Sequence, residues 1–84
     1  MPIRVRLFAV ARQQAGASEV VLDLREGATV ADLRRALAVQ VPALGPLLPN
    51  IMIALNAEYA HDDLVIPAGA DAAVIPPVSG GAPC

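Results

Sequence analysis

The chain has no lysine and no tryptophan, a single cysteine (Cys84), and only two aromatic residues, Phe8 and Tyr59, among its 84 residues. Each scarcity excludes something. All six basic residues are arginines and the net charge is -2, with a pI near 5.0, so the chain lacks the basic surface that phosphate backbones require and nucleic acid is a poor partner. A lone cysteine cannot close an intramolecular disulfide and supplies no metal cluster, which agrees with a reducing, cytoplasmic setting. With so few aromatics the interior must be built from Val, Leu, Ile and Ala. Apolar residues nevertheless reach 56%, with a mean hydropathy of +0.57, so part of that surface is expected to face partners. A chain of this length has room for one domain and one core, too little for a self-contained multistep enzyme.

Residues Ala36 to Ala57 carry no charge, a length that could in principle span a bilayer. Pro42, Pro46 and Pro49, with Gln40 and Asn50, argue against this, because the prolines remove backbone donors and interrupt a continuous helix. The apolar stretch Leu7 to Ala11 stops at Arg12, too short for a signal peptide.

Ile3, Val5 and Leu7 alternate with Arg4, Arg6 and Phe8, the period of a strand with one covered face. Val10 to Ala15 suits a short helix, with Gly16 as a left-handed terminator. In Ser18 to Leu24, Val20, Leu22 and Leu24 share one face, predicting a second strand paired with the first. Thr29 followed by Asp32 matches a capping box with aspartate in place of glutamate. Val30, Leu33, Leu37 and Val41 then recur at helical spacing, with Arg34 and Arg35 turned to solvent and Pro42 ending the helix. A loop from Ala43 to Asn50 leads to IMIALN, a dense apolar run that fits a strand covered on both faces. Turns at His61–Asp63 and Pro67–Asp71 separate short extended pieces, and Ala72 to Pro76 forms the last strand. This order predicts an α+β fold, a ubiquitin-like β-grasp with a mixed sheet packed on one main helix and with the first and last strands adjacent at its centre. Residues 1–77 make the domain and 78–84 a flexible tail.

VRLFAVAR, TVADLRRAL, IALN and VIPPVSGG together resemble the small subunit of molybdopterin synthase, the sulfur-carrying branch of the ubiquitin-like proteins, from Ile3 to Gly81. The resemblance implies that the Gly81 carboxylate is adenylated by a ubiquitin-activating-type adenylyltransferase, which consumes ATP, and is converted to a thiocarboxylate. The tail then enters the large subunit of a heterotetramer, where sulfur passes to cyclic pyranopterin monophosphate. The carrier binds no cofactor, and the active site belongs to the large subunit. A carrier for thiamin thiazole or another sulfur-containing metabolite would share this tail chemistry. So would a ubiquitin-like protein modifier, although without lysine no chains can be built on its side chains.

The tail residues suit the task. Gly80 and Gly81 lack a Cβ and can thread a narrow channel; Pro76 and Pro77 stiffen the departure from the sheet. Pro77, Val78, Ser79, Gly80 and Gly81 span at most about 13 to 17 Å, and no charge lies between Ala72 and Cys84 to be stranded in a pocket. Family members of the simple type end at the second glycine, whereas here Ala82, Pro83 and Cys84 follow. The Gly81 carbonyl is then an amide, which cannot be adenylated, so a processing peptidase is expected to cut between Gly81 and Ala82. A second hypothesis places sulfur on Cys84 itself, as a persulfide or mixed disulfide, though no positive neighbour marks that thiol as especially reactive.

His61 with Asp62 and Asp63 reads as a solvated turn, with no second histidine to make a metal site. Arg4, Arg6 and Phe8 share the outward face of the first strand, a face expected to dock the larger partners. In the alternative, the short first helix buries Phe8.

Overall fold

The computed structural model describes residues 1–75. The order of elements is β1 (Pro2–Leu7), α1 (Ala9–Ala15), β2 (Glu19–Asp23), α2 (Val30–Gln40), β3 (Met52–Leu55), β4 (Glu58–Ala60) and β5 (Asp71–Ile75). The strands form one sheet in the order β2-β1-β5-β3-β4. β1 and β5 run parallel, from Arg4 opposite Asp71 to Leu7 opposite Val74, while β1–β2, β3–β4 and β3–β5 are antiparallel. This is the mixed sheet of a β-grasp, with the first and last strands side by side at its centre. Pro77, Val78, Ser79, Gly80, Gly81, Ala82 and Cys84, and with them the expected domain boundary and tail, lie outside the described residues.

The period-two pattern of β1 sorts its side chains cleanly. Ile3, Val5 and Leu7 are buried while Arg4 and Arg6 are exposed. On the covered side Leu22, Ile53, Leu55, Ala72 and Val74 join them against Val30, Leu33 and Leu37 of α2. Each of these three helix side chains is fully buried, and sequestering one contributes roughly 2 kcal/mol. The expected loop after α2 is more ordered than its composition implies. Two 3-10 turns, Pro42–Leu44 and Leu48–Asn50, bury Leu44 and Leu48 in the core. The uncharged stretch from 36 to 57 therefore divides among the end of α2, these turns and β3, and among the described residues no helix is long and apolar enough to cross a membrane.

The capping box is present. The Asp32 N–H donates to Thr29 Oγ1 at 3.3 Å, and the Thr29 N–H donates to Asp32 Oδ2 at 3.0 Å, satisfying two donors that the first turn would otherwise leave free. The bond from the Thr29 N–H is the main reason the Asp32 carboxyl titrates below its ordinary 3.8; partial burial opposes it, and the Arg25 and Arg35 guanidiniums add to it. Because the folded pKa is depressed, the stability Asp32 contributes is present above that ordinary value and is lost as pH falls through the folded one. We expect Asp32→Asn to remove part of the acid dependence, so that the melting temperatures of variant and parent converge as pH falls below the ordinary carboxylate value. A melting-temperature gap that stays constant with pH would contradict this assignment.

The structure corrects three expectations. IMIALN is not covered on both faces: the strand begins at Met52, which is 48% exposed, and only the small Ala54 is buried on the open side. Phe8 is not part of β1; the strand ends at Leu7, and Phe8 is the N-cap of α1 with extended φ and ψ of -124° and 155°. Arg34 does not simply face solvent. Its Nε donates to Asp62 Oδ1 at 2.8 Å, Nη1 to the Leu48 carbonyl at 2.8 Å and Nη2 to the Ile51 carbonyl at 2.6 Å. A planar fork of donors thus ties α2 to the turn before β3 and to the 61–63 turn, a geometry that lysine cannot reproduce. Arg35 does remain exposed, bonding Asp32 at 2.6 Å.

Candidate functional site

α2 covers one face of the sheet, and the other lies open. The register decides what it displays. Arg6 stands opposite Ala73, Ala73 opposite Ala54, and Ala54 opposite Tyr59, while Ile75 stands opposite Met52. Small side chains run across the middle, so the face is concave. The hollow has a volume of about 440 Å³ and is lined by Phe8, Tyr59, Ile75, Arg6, Asn56 and Ala57, with a floor from β3 and β5. Its lining includes both aromatics of the chain, and both are exposed, Phe8 at 47% and Tyr59 at 67%. Exposed aromatics cost solubility and are enriched where proteins bind one another.

Of the residues expected to dock partners, Arg4, Arg6 and Phe8 all lie exposed on this side, and the alternative of a Phe8 buried by α1 does not hold. Arg4 and Arg6 differ in their surroundings. Arg4 Nε sits 3.2 Å from Glu19 Oε2 on the neighbouring strand, with both side chains about half exposed, a pairing worth at most about 1 kcal/mol. Arg6 lines the hollow and has no carboxylate within ion-pair distance among the described residues. Tyr59 and Ile75 were not singled out by sequence reasoning. The available signal for Tyr59 was scarcity, since an aromatic on a chain with two of them is rarely idle.

The hollow is held at one end by the β3–β4 hairpin. Asn56 donates its N–H to the Asp71 carbonyl at 2.8 Å, and Asn56 Oδ1 accepts from the Asp71 N–H at 3.1 Å, so the turn is pinned to the start of β5. At the other end Phe8 leaves β1 where α1 begins. Neither end brings together a nucleophile and a base, and among the described residues no group of three or more His, Cys, Asp or Glu gathers as for a metal ion. His61 is exposed, and Asp62 is engaged by Arg34. What the described face offers is shape, apolar area and charge of both signs, with Arg6 and Asp71 lining the hollow and Arg4 paired with Glu19 beside it, next to the end of the strand that precedes the glycines.

The model of the ThiS family matches residues 5–81. The chain is 37% identical to the molybdopterin synthase sulfur carrier subunit of Chlamydomonas reinhardtii over 96% of its own length and 100% of that protein. The crystal structure of SAMP1 from Haloferax volcanii superposes with a TM-score of 0.86 at 32% identity, covering 96% of this chain and 100% of that one. A chain of the complex of subunits 1 and 2 of the molybdopterin-converting factor from Helicobacter pylori shares the fold, with a TM-score of 0.68 at 23% identity over 96% of this chain and 100% of that one. With a family match spanning nearly all of its length, the chain belongs to the ThiS family.

Proposed function

We propose that this chain is the sulfur carrier of a molybdopterin synthase, bearing sulfur as a thiocarboxylate on Gly81. The observation that carries the reading is the family match, which runs through both glycines to residue 81 and no further, combined with near full-length similarity to a sulfur carrier subunit. Once a peptidase has cut the Gly81–Ala82 bond, a carboxylate oxygen attacks the α-phosphate of ATP on the adenylyltransferase. Pyrophosphate leaves, and an acyl-adenylate forms. A hydrosulfide equivalent then displaces AMP from the acyl carbon, giving the thiocarboxylate. In the large subunit that sulfur is handed to the pterin precursor, and water attacking the acyl carbon supplies the oxygen with which Gly81 returns as a carboxylate. The chain supplies no acid or base to these steps; it supplies the acyl group and the surface that holds it in place.

The large subunit is the partner we assign to the open face, a reading supported by the subunit 1–subunit 2 complex of the Helicobacter pylori factor. Phe8→Ala, in a chain ending at Gly81, should weaken binding of the large subunit by about 30-fold, the cost of truncating an aromatic at the centre of an interface. Calorimetric titration measures it, and an unchanged affinity would remove Phe8 from the interface.

The likeness to SAMP1 favours a second reading, a protein modifier attached through the same glycine. Affinity capture from the native cell separates the readings. Recovery of a molybdopterin synthase large subunit supports the carrier, recovery of a thiazole synthase points to the thiamin branch, and isopeptide-linked targets support the modifier.

A further inference from the structure

Three non-glycine residues among those described hold a positive φ: Ala9 at 51°, Asn56 at 51° and Ala57 at 72°. Asn56 and Ala57 line the hollow, and Ala9 directly follows Phe8, which lines it too. Left-handed strain outside glycine is therefore gathered around one surface feature. Asparagine visits this region readily because its side chain bonds locally, as Asn56 does with the Asp71 N–H. Alanine has no such compensation, and a two-residue hairpin loop with both residues left-handed strongly favours glycine in its second place. At Ala9 and Ala57, then, glycine would give the more stable protein. Strain of this kind persists where something other than stability is being held.

We propose that Ala9 and Ala57 are kept in strained conformations because they shape a preformed seat for the large subunit: the Ala57 methyl touches the partner, and Ala9 fixes the corner that holds Phe8 over the hollow. This rests on the carrier reading. The occupant follows from chain geometry: Ile75 lines the hollow and Gly81 is six residues further on, a reach of at most about 22 Å. A protein that draws Gly81 into its own catalytic centre must bring its surface to the neighbourhood of this face. The chemistry of the seat also describes that surface. It should carry apolar side chains to meet Phe8, Tyr59 and Ile75, a carboxylate to meet Arg6, and a hydrogen-bond donor to meet the exposed Asp71. A seat fixed in advance loses less conformational freedom on binding than one that must be ordered.

The test sets stability against affinity. In chains ending at Gly81, Ala57→Gly and Ala9→Gly are each expected to raise the melting temperature by about 4 °C or more, since strain is relieved in a small domain. Each is also expected to bind the purified large subunit more weakly. For Ala57→Gly the loss is about fourfold, corresponding to one buried methyl; for Ala9→Gly it arises from a loosened Phe8. Loss of affinity in a more stable protein cannot be explained by unfolding. If either variant melts lower, or melts higher and binds as the parent does, the inference is overturned while the carrier reading stands. If the parent itself shows no binding to the large subunit, the assignment of the partner fails and this inference fails with it.

Discussion

A chain that keeps Ala82, Pro83 and Cys84 joined to Gly81 is expected to form no acyl-adenylate with ATP and the cognate adenylyltransferase, while the same chain ending at Gly81 is expected to form one. The contrast is expected to be all or none, because the distinction is one of functional group. Adenylation needs a carboxylate oxygen to attack the α-phosphate, and in the longer chain the Gly81 carbonyl is bonded to the Ala82 nitrogen. Three more residues also add about 10 Å and a proline to a segment otherwise suited to a narrow channel. ATP–pyrophosphate exchange measures the outcome, and exchange supported by the uncut chain would refute it. The same assay system addresses Cys84. With the processing peptidase present, Cys84→Ser should leave sulfur transfer at the parental level, since serine is discarded with the extension; loss of transfer would instead place sulfur on the thiol.

Arg34→Ala should destabilise the domain by about 3 kcal/mol, a large part of what a chain of this size has to lose. The arginine side chain is only 22% exposed, and its removal leaves the Leu48 and Ile51 carbonyls without their charged donor and takes away the side-chain tie between α2 and Asp62, leaving the backbone bond from the Ala31 N–H to the Asp62 carbonyl. Hydrogen bonds from a charged group to such carbonyls contribute more than neutral ones. The melting temperature is expected to fall on the order of 15 °C. Arg34→Lys should recover little of this, because one ammonium cannot reach three acceptors in a fork. Chemical denaturation of both variants checks the claim; a loss below about 0.5 kcal/mol would make Arg34 an ordinary surface residue.

The two arginines of α2 show where the sequence stops being informative. Helical periodicity places Arg34 and Arg35 on the same outward side, and for Arg35 that is the whole account. For Arg34 it is not, because its acceptors include backbone carbonyls 14 and 17 residues away, and backbone groups have no signature in composition or spacing. Local rules worked where the cause was local: the Thr29–Asp32 capping box, the left-handed Gly16 with φ of 73°, and the alternation in β1. The open face was half legible. Arg4, Arg6 and Phe8 follow from one strand and the residue after it, but Tyr59 joins them only through the register of three strand pairs. The hairpin turn was hidden for another reason. Asn56–Ala57 lacks the glycine that normally marks a turn of this conformation, so nothing in the string warned that Ala57 is left-handed. The glycines to which we assign the chemistry were read from sequence motif and family likeness alone.

The most direct measurement is the intact mass of the mature protein taken from cells that are making molybdopterin. The account predicts a chain ending at Gly81, a fraction of it heavier by the replacement of one carboxylate oxygen with sulfur. A population still ending at Cys84, with the Gly81–Ala82 bond unbroken while the cofactor is being made, would contradict it.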